Sequence, residues 1–135
     1  MDLRHIPNLH IFAIHGIIKC DAQEPPVLRD INVVLGTIPK ANQVTKLSLG
    51  FTIHGDHPFG GCLEEDWVGM CDAVARISAG KPLELKLEIM TSVRPAIYRL
   101  APPGRQLRDE LYERIKEKMA LLSDYPNICT HFWHL

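Results

Sequence analysis

Histidine stands before glycine twice in this 135-residue chain, in the similar phrases FAIHG at 12–16 and FTIHGD at 51–56. Two imidazoles can share a divalent metal ion, or titrate as a coupled pair, when the fold brings them side by side. A carboxylate and a third imidazole directly follow the second phrase, and a metal site needs three or four such donors that converge. The candidate ligand-binding residues are therefore His15, His54, Asp56 and His57.

The same phrases have a plainer interpretation, in which His-Gly starts a turn after each of two strands. Glycine readily adopts the positive φ that such a turn requires. The spacing of the histidines matches no metal-binding motif that carries its own mechanism. We favour the turn, and the sequence alone predicts neither a bound metal nor a cofactor.

Two glutamates invite an enzymatic interpretation. Glu84 and Glu88 would form an acid/base pair, but Lys86 lies between them and the sequence offers no apolar pocket to give them different roles. Cys62 near His57 is the one thiol–imidazole pair that is close in sequence, and it lies in no nucleophile motif. The sequence therefore assigns no catalytic residues, and an enzyme is the less favoured class.

The chain ends in a second histidine cluster, HFWH at 131–134. His131 and His134 would point to opposite faces of a strand, which argues against a shared ligand. Because the terminal units of repeat proteins are atypical capping units, we expect Phe132 and Trp133 to close the last repeat.

Composition and charge narrow the class of protein. Hydrophobic residues make up 46% of the chain and charged residues 23%, which is typical of one globular domain. The formal net charge is −1 and no basic stripe is present, so we expect neither nucleic acid nor a membrane surface as a partner. Four widely spaced cysteines and the lack of a secretory signal favour reduced thiols in an intracellular, cytoplasmic or nuclear protein.

Strand-like and helix-like segments alternate along the chain. The strand-like segments recur about 36–42 residues apart, at 9–15, 44–53, 82–90 and 128–134. The second and third of them alternate between apolar and polar residues, which predicts one buried and one polar face. Apolar residues at helical spacing fill the intervals at 25–38, 63–80 and 104–126. The proline-rich segment 91–104 breaks the pattern and is expected to form an ordered loop or a flap.

This order predicts one α/β domain over residues 1–135, with a mostly parallel four-stranded sheet. Strands that are covered on both faces read as continuous apolar runs, whereas the second and third strands alternate, so helices should cover one face only. That is the architecture of a short solenoid of strand–helix repeats, as in leucine-rich repeats. The two histidine phrases would then occupy equivalent positions in successive repeats and lie side by side.

The uncovered face of the sheet is the expected partner-binding surface. Its polar side chains would be Ser48, Thr52, Glu84, Lys86 and Glu88. The first and last strands would leave open edges, which another protein or a second copy of the chain could cover. We therefore expect a non-enzymatic protein-interaction module. A homodimer is also expected, since a second copy of the chain could cover an open edge. The alternative is a ligand- or metal-binding protein or enzyme with its site at the carboxyl ends of the first two strands.

Three stretches of the sequence carry a resemblance to a known family. They are PPVLRDINVVLGTIPKANQVTKLSLGFTIHGDHPF, GCLEEDWVGMCDAVARISAGKPLELKLEI and SDYPNICTHFW. The chain resembles, from about residue 3 to residue 133, the C-terminal part of uncharacterised mushroom (basidiomycete) F-box proteins with degenerate leucine-rich repeats. The resemblance implies a repeat-type α/β fold and an intracellular role in protein–protein interaction. It implies no catalytic residues, and we expect no F-box and no ubiquitin-ligase role, since the chain opens on the repeat-like phrase LRHIPNLHIFAIHG.

Overall fold

A computed structural model of the chain describes residues 2–6, 8–19, 27–54, 65–92 and 103–134. Strands and helices alternate in it: β1 (Ile11–Lys19), α1 (Val27–Gly36), β2 (Lys46–His54), α2 (Trp67–Ser78), β3 (Leu83–Ser92), α3 (Pro103–Lys118), a 3-10 helix (Ala120–Asp124) and β4 (Ile128–His134). The four strands form one parallel sheet in the order β1-β2-β3-β4. The predicted α/β fold with a four-stranded parallel sheet is therefore confirmed.

The core lies between one face of the sheet and the helices. Alternate side chains of the two central strands are buried there, as the sequence pattern predicts: Leu47, Leu49, Phe51 and Ile53 in β2, and Leu83, Leu85, Leu87 and Ile89 in β3. Because successive side chains of a strand point to opposite faces, the same alternation places the polar residues of β2 and β3 on the other face. Each buried aliphatic side chain contributes about 2 kcal/mol through burial, so register and facing are strongly fixed.

Helix α2 begins at Trp67, later than the start at Leu63 that the sequence predicts. The side chain of Asp66 caps the first turn by accepting a hydrogen bond from the Gly69 amide at 2.8 Å. The helix ends as Ala79 and then Gly80 adopt positive φ angles of 48° and 82°. This left-handed turn closes many helices and favours glycine, and it ends the helix at Ser78, two residues before the predicted end at Gly80.

The start of helix α1 is capped by a residue of the next strand–helix unit. Glu65 accepts hydrogen bonds from the amides of Val27 and Leu28, at 3.1 and 3.0 Å. The first amides of a helix have no partner within the helix and carry partial positive charge, so a carboxylate suits this position. Burial raises the pKa of Glu65, although the two amide hydrogen bonds act in the opposite direction.

The end of helix α1 is capped from the same neighbouring unit. The guanidinium of Arg76, on α2, donates hydrogen bonds to the carbonyls of Leu35 and Ile38, both at 2.7 Å. These carbonyls lie at the negative end of the helix dipole, where a cation is favourable. Both ends of helix α1 are therefore capped by hydrogen bonds to side chains at the neighbouring helix, since Glu65 lies just before α2 and Arg76 lies on it.

A partly buried lysine, Lys81, links by hydrogen bonds the loops that enter β2 and β3. The Lys81 ammonium donates to Asn42 Oδ1 at 2.8 Å, to the Val44 carbonyl at 2.9 Å and to the Ile77 carbonyl at 3.1 Å. An ammonium has three donors, and all three are used here. Burial lowers the pKa of Lys81. The role of this residue is structural, since its neighbours are an amide and backbone carbonyls.

Strand β1 departs from the prediction in its extent. It runs to Lys19, whereas the sequence predicts a strand over 9–15 followed by a turn at His15-Gly16. Gly16 is instead a buried strand residue, and a Cβ added to it would lie 2.8 Å from Val27 Cγ1 and 3.0 Å from Ile31 Cδ1. Glycine is therefore required at this position because helix α1 approaches the strand closely, and the predicted turn is wrong there.

Two other predictions differ from the structure or lie outside it. The helix predicted over 104–126 divides into α3 and the 3-10 helix, because the chain tightens at Met119, where the amide of Leu122 bonds to the Met119 carbonyl at 3.1 Å. This brings Leu122 into the core. Of the predicted irregular segment 91–104, the first two residues belong to β3 and the last two to α3, and residues 93–102 lie outside the described residues.

Candidate functional site

The register of the sheet separates the two histidines that the sequence pairs. His15 lies opposite Gly50, and His54 lies opposite Lys19. The two histidines are thus four residues out of register, or about 13 Å apart along the strands. The expectation that they lie side by side is wrong, because FAIHG occupies the first half of β1 whereas FTIH occupies the end of β2. Asp56 and His57 lie outside the described residues.

His15 has a local partner on the sheet surface. Its Nε2 atom lies 2.8 Å from Thr52 Oγ1, and its ring covers the backbone of Gly50, where an added Cβ would lie 2.7 Å from His15 Nδ1. The absence of a side chain at Gly50 leaves the room that the imidazole occupies. His15 therefore links β1 to β2 through its hydrogen bond to Thr52, with its ring over Gly50.

The face of the sheet opposite the described helices, here called the open face, presents the residues that the sequence assigns to partner binding. Alternation along β2 and β3 places all five of them there, Ser48, Thr52, Glu84, Lys86 and Glu88. Two ion pairs join the charged ones: Lys86 Nζ lies 3.3 Å from Glu88 and Lys46 Nζ lies 4.0 Å from Glu84. Such exposed pairs contribute at most about 1 kcal/mol each, so they leave the charges available to a partner.

An exposed tryptophan lies beside these charges. The side chain of Trp133 is 56% exposed, its backbone lies opposite Glu88, and Lys86 Nζ is 5.9 Å from the centre of its ring. Met90, 37% exposed, lies on the same face of β3. We call Trp133, Met90, Lys86 and Glu88 the Trp133 patch.

The sequence interpretation missed this tryptophan. It assigned Phe132 and Trp133 together to closure of the last repeat, but only Phe132 lies on the covered side, where its ring packs edge-on against Tyr112 at a centroid distance of 6.4 Å. Adjacent residues of a strand must point to opposite faces, so alternation along β4 is the signal that separates the two aromatic residues.

A thiol, an imidazole and a carboxylate meet elsewhere on the open face. Cys129 Sγ lies 3.5 Å from His131 Nε2, and the same nitrogen lies 3.9 Å from Glu84 Oε1. Sequence reasoning missed this cluster, although Cys-x-His on a strand places both side chains on one face. In a catalytic triad the carboxylate holds the second imidazole nitrogen, whereas here both contacts involve Nε2. The cluster therefore lacks the arrangement that activates a nucleophile.

The two cysteines of the described part of the chain are free thiols in different environments. Cys71 is buried on α2, its sulfur lies 3.6 Å from Met119 Sδ, and burial raises its pKa to about 11. Cys129 is exposed. Within the described ranges, no three His, Cys, Asp or Glu side chains are grouped so that they could hold a metal ion.

Comparisons with protein-family models, with curated proteins and with solved structures gave no match to this chain. Among the helices that the structure describes, none combines the length and the hydrophobicity that a membrane crossing requires. The chemistry of the open face is therefore the basis on which a function is proposed.

Proposed function

We propose that this chain is a non-enzymatic protein-binding module of the leucine-rich-repeat type and that its partner binds on the open face. The observation that carries the proposal is the Trp133 patch, in which an aromatic ring and a methionine lie exposed beside two opposite charges. Tryptophan and methionine are enriched in protein interfaces, and tryptophan is prominent among the residues that dominate binding energy. A solvent-facing position gives Trp133 no comparable role in the stability of the fold.

The patch also indicates what the partner must offer. The tryptophan ring needs an apolar pocket or a flat apolar surface, and Lys86 and Glu88 favour a partner with opposite charges at matching positions. Trp133 and Glu88 lie opposite each other on neighbouring strands, about 4.8 Å apart, so one partner element that lies across β3 and β4 contacts both. Parallel strand–helix repeats commonly bind partners along such an extended surface.

The resemblance to degenerate leucine-rich-repeat proteins supports the same class of function. The free thiols of Cys71 and Cys129 support an intracellular setting, since oxidising compartments favour disulfides. No residue of the chain needs a catalytic role in this proposal.

The test compares the partner affinity of two variants, each of which truncates one exposed hydrophobic side chain to alanine. A partner is captured from the native source with the unchanged chain, purified, and its affinity is measured by calorimetry for Trp133→Ala and for Val68→Ala. Val68 is exposed on helix α2, away from the open face. We expect Trp133→Ala to weaken binding by about 2 kcal/mol, or roughly 30-fold, and Val68→Ala to leave it unchanged.

Charge complementarity is tested in the same assay by exchange of the ion pair. The Lys86→Glu, Glu88→Lys double variant keeps the net charge and the pair itself, so loss of affinity in it reports the placement of the charges. Equal affinity for all variants would remove the open face as the binding surface.

A further inference from the structure

Strand β1 presents its backbone at an outer edge of the sheet. It is the first strand in the order β1-β2-β3-β4, and β2 is its partner in the described part of the sheet. The His10 carbonyl accepts the Lys46 amide at 3.2 Å, so residues of even number direct their backbone groups towards β2. Because backbone groups alternate in direction along a strand, those of Ile11, Ala13, His15 and Ile17 point away from the sheet.

Between Ile11 and Ile18, strand β1 lacks the features that normally prevent edge pairing, and its lysine, Lys19, is the last residue of the strand. Natural edge strands carry lysine, proline, a bulge or inward charges, or are very short. The stretch from Ile11 to Ile18 contains no charged residue and no proline, and its register with β2 runs without a bulge over nine residues. Ile11 and Ile17 are 63% and 50% exposed.

The end of the core beside β1 is also apolar. Leu9, Ile14, Val27 and Val34 pack against the core but are only partly buried. The terminal units of repeat proteins normally carry a polar outer surface, because no further unit covers them. Here these four aliphatic side chains stay partly exposed, which favours a further protein surface against them.

The opposite edge of the sheet differs. Strand β4 is shorter, and it carries Thr130 and His131 at its centre. Thr130 and His131 are both exposed. Of the two edges, β1 is therefore the one that favours pairing through apolar side chains.

We propose that β1 pairs antiparallel with β1 of a second copy, so that the four strands of each copy join in one continuous sheet. A two-fold axis perpendicular to the sheet keeps the helices of both copies on one side, and residues of equal parity then face each other. In the register centred on Ile14, Ile11 lies opposite the partner subunit's Ile17, and Phe12 lies opposite the partner subunit's Gly16. Both contacts occur twice by symmetry.

This register suits the side chains that it brings together. Paired β-branched residues stabilise antiparallel strands, as at Ile11 and the partner subunit's Ile17. No charged residue lies between Ile11 and Ile17, so no like charges meet between the two paired strands. Val34 of α1, which is only partly buried, offers a further apolar contact on the helix side of the sheet.

The test uses proline at one edge and then at the other. The Ala13 amide points away from β2, so Ala13→Pro removes an outward donor and leaves the β1–β2 hydrogen bonds intact. Thr130→Pro is the matched control, because the Asn127 carbonyl accepts the Leu83 amide and residues of even number in β4 therefore point outward. Sedimentation velocity should show a dimer with a Kd below roughly 100 µM for the unchanged chain and for Thr130→Pro, and a monomer for Ala13→Pro.

A second pair of variants covers the case in which Ala13→Pro fails to fold, which circular dichroism reveals. Ile17→Lys should dissociate the dimer, and Leu121→Lys should not, since Leu121 is 44% exposed at the other end of the fold. A monomeric unchanged chain at that concentration, or a dimer that persists in Ile17→Lys, would overturn the proposal. This pairing does not involve the Trp133 patch, so either proposal can fail while the other stands.

Discussion

Gly16 and Gly50 lie on neighbouring strands, and alanine at each meets an atom at almost the same short distance. The added Cβ lies 2.8 Å from Val27 Cγ1 at Gly16 and 2.7 Å from His15 Nδ1 at Gly50. The neighbours differ in their freedom to move. Val27 is a branched side chain packed against the core, whereas the His15 ring is exposed and can rotate towards solvent.

The expected free energies of unfolding follow from this difference. Overpacking of a well-packed region costs about 1–3 kcal/mol, and replacing glycine with alanine returns about 0.4–1 kcal/mol by restricting the unfolded chain. Gly16→Ala should therefore destabilise the fold by about 1–2 kcal/mol. Gly50→Ala loses one exposed hydrogen bond, worth about 0.5–1 kcal/mol, and should be close to neutral after the same gain.

Urea unfolding of four variants measures the effect. Gly16→Ala and Gly50→Ala give the two single costs, and Gly16→Ala, Val27→Ala and their double variant form a cycle in which the crowding is relieved. The double variant should be more stable than the sum of the two single changes predicts, by at least about 0.5 kcal/mol. Equal stability of the two single variants would refute the close approach of α1 to β1, and so would a cycle without coupling.

Three further outcomes are expected. Arg76→Met should lower the free energy of unfolding by about 1–3 kcal/mol because it leaves carbonyls at the end of α1 without their donor, and Arg76→Lys should recover only part of this in the same urea titration. Native-state alkylation followed by peptide mass spectrometry should modify Cys129 well before Cys71, whose buried thiol has a pKa of about 11; equal rates would contradict the packing of α2. Because the pKa of Glu65 is raised in the fold, the folded state binds its proton more tightly than the unfolded state. The stability of the unchanged chain relative to Glu65→Gln should therefore rise as pH falls through the folded-state pKa and level off below the ordinary value of 4.5, and the opposite slope in pH-dependent urea unfolding would refute it.

The central strands could be predicted from sequence because each has one apolar and one polar face. In β2 and β3 a shift of one residue would bury the lysines and glutamates of the open face, so the local pattern determines which side faces the helices. Strand β1 carries apolar residues on both sides, as in Ile11 and Phe12, and its end could not be read from periodicity.

The histidine pair shows why similar phrases need not be equivalent positions. In the sheet, Phe51 lies opposite Gly16, and its ring packs edge-on against Trp67 at a centroid distance of 5.5 Å. A large side chain on β2 thus lies beside the position on β1 that has none. The register is set by such contacts between distant segments, which the similarity of FAIHG to FTIHG does not contain. The caps of α1 by Glu65 and Arg76 are long-range for the same reason.

The two proposals together make a prediction that neither makes alone. A dimer joined at β1 presents both open faces on the same side of one continuous sheet, with the Trp133 of each patch on the outermost strand of its copy. Eight strands span seven intervals of about 4.8 Å, so the two patches lie roughly 34 Å apart.

A surface that carries partner molecules about this distance apart would hold the dimer with avidity, because the second contact becomes intramolecular. The partner should therefore be immobilised at high and at low density, and binding of the unchanged chain compared with that of Ala13→Pro. At high density the monomeric variant should dissociate at least about 100-fold faster, and at low density the two should agree. Faster dissociation of Ala13→Pro at low density as well would mean that the edge of β1 contacts the partner directly. The assignment of self-association to this edge and of partner binding to the open face would then be wrong.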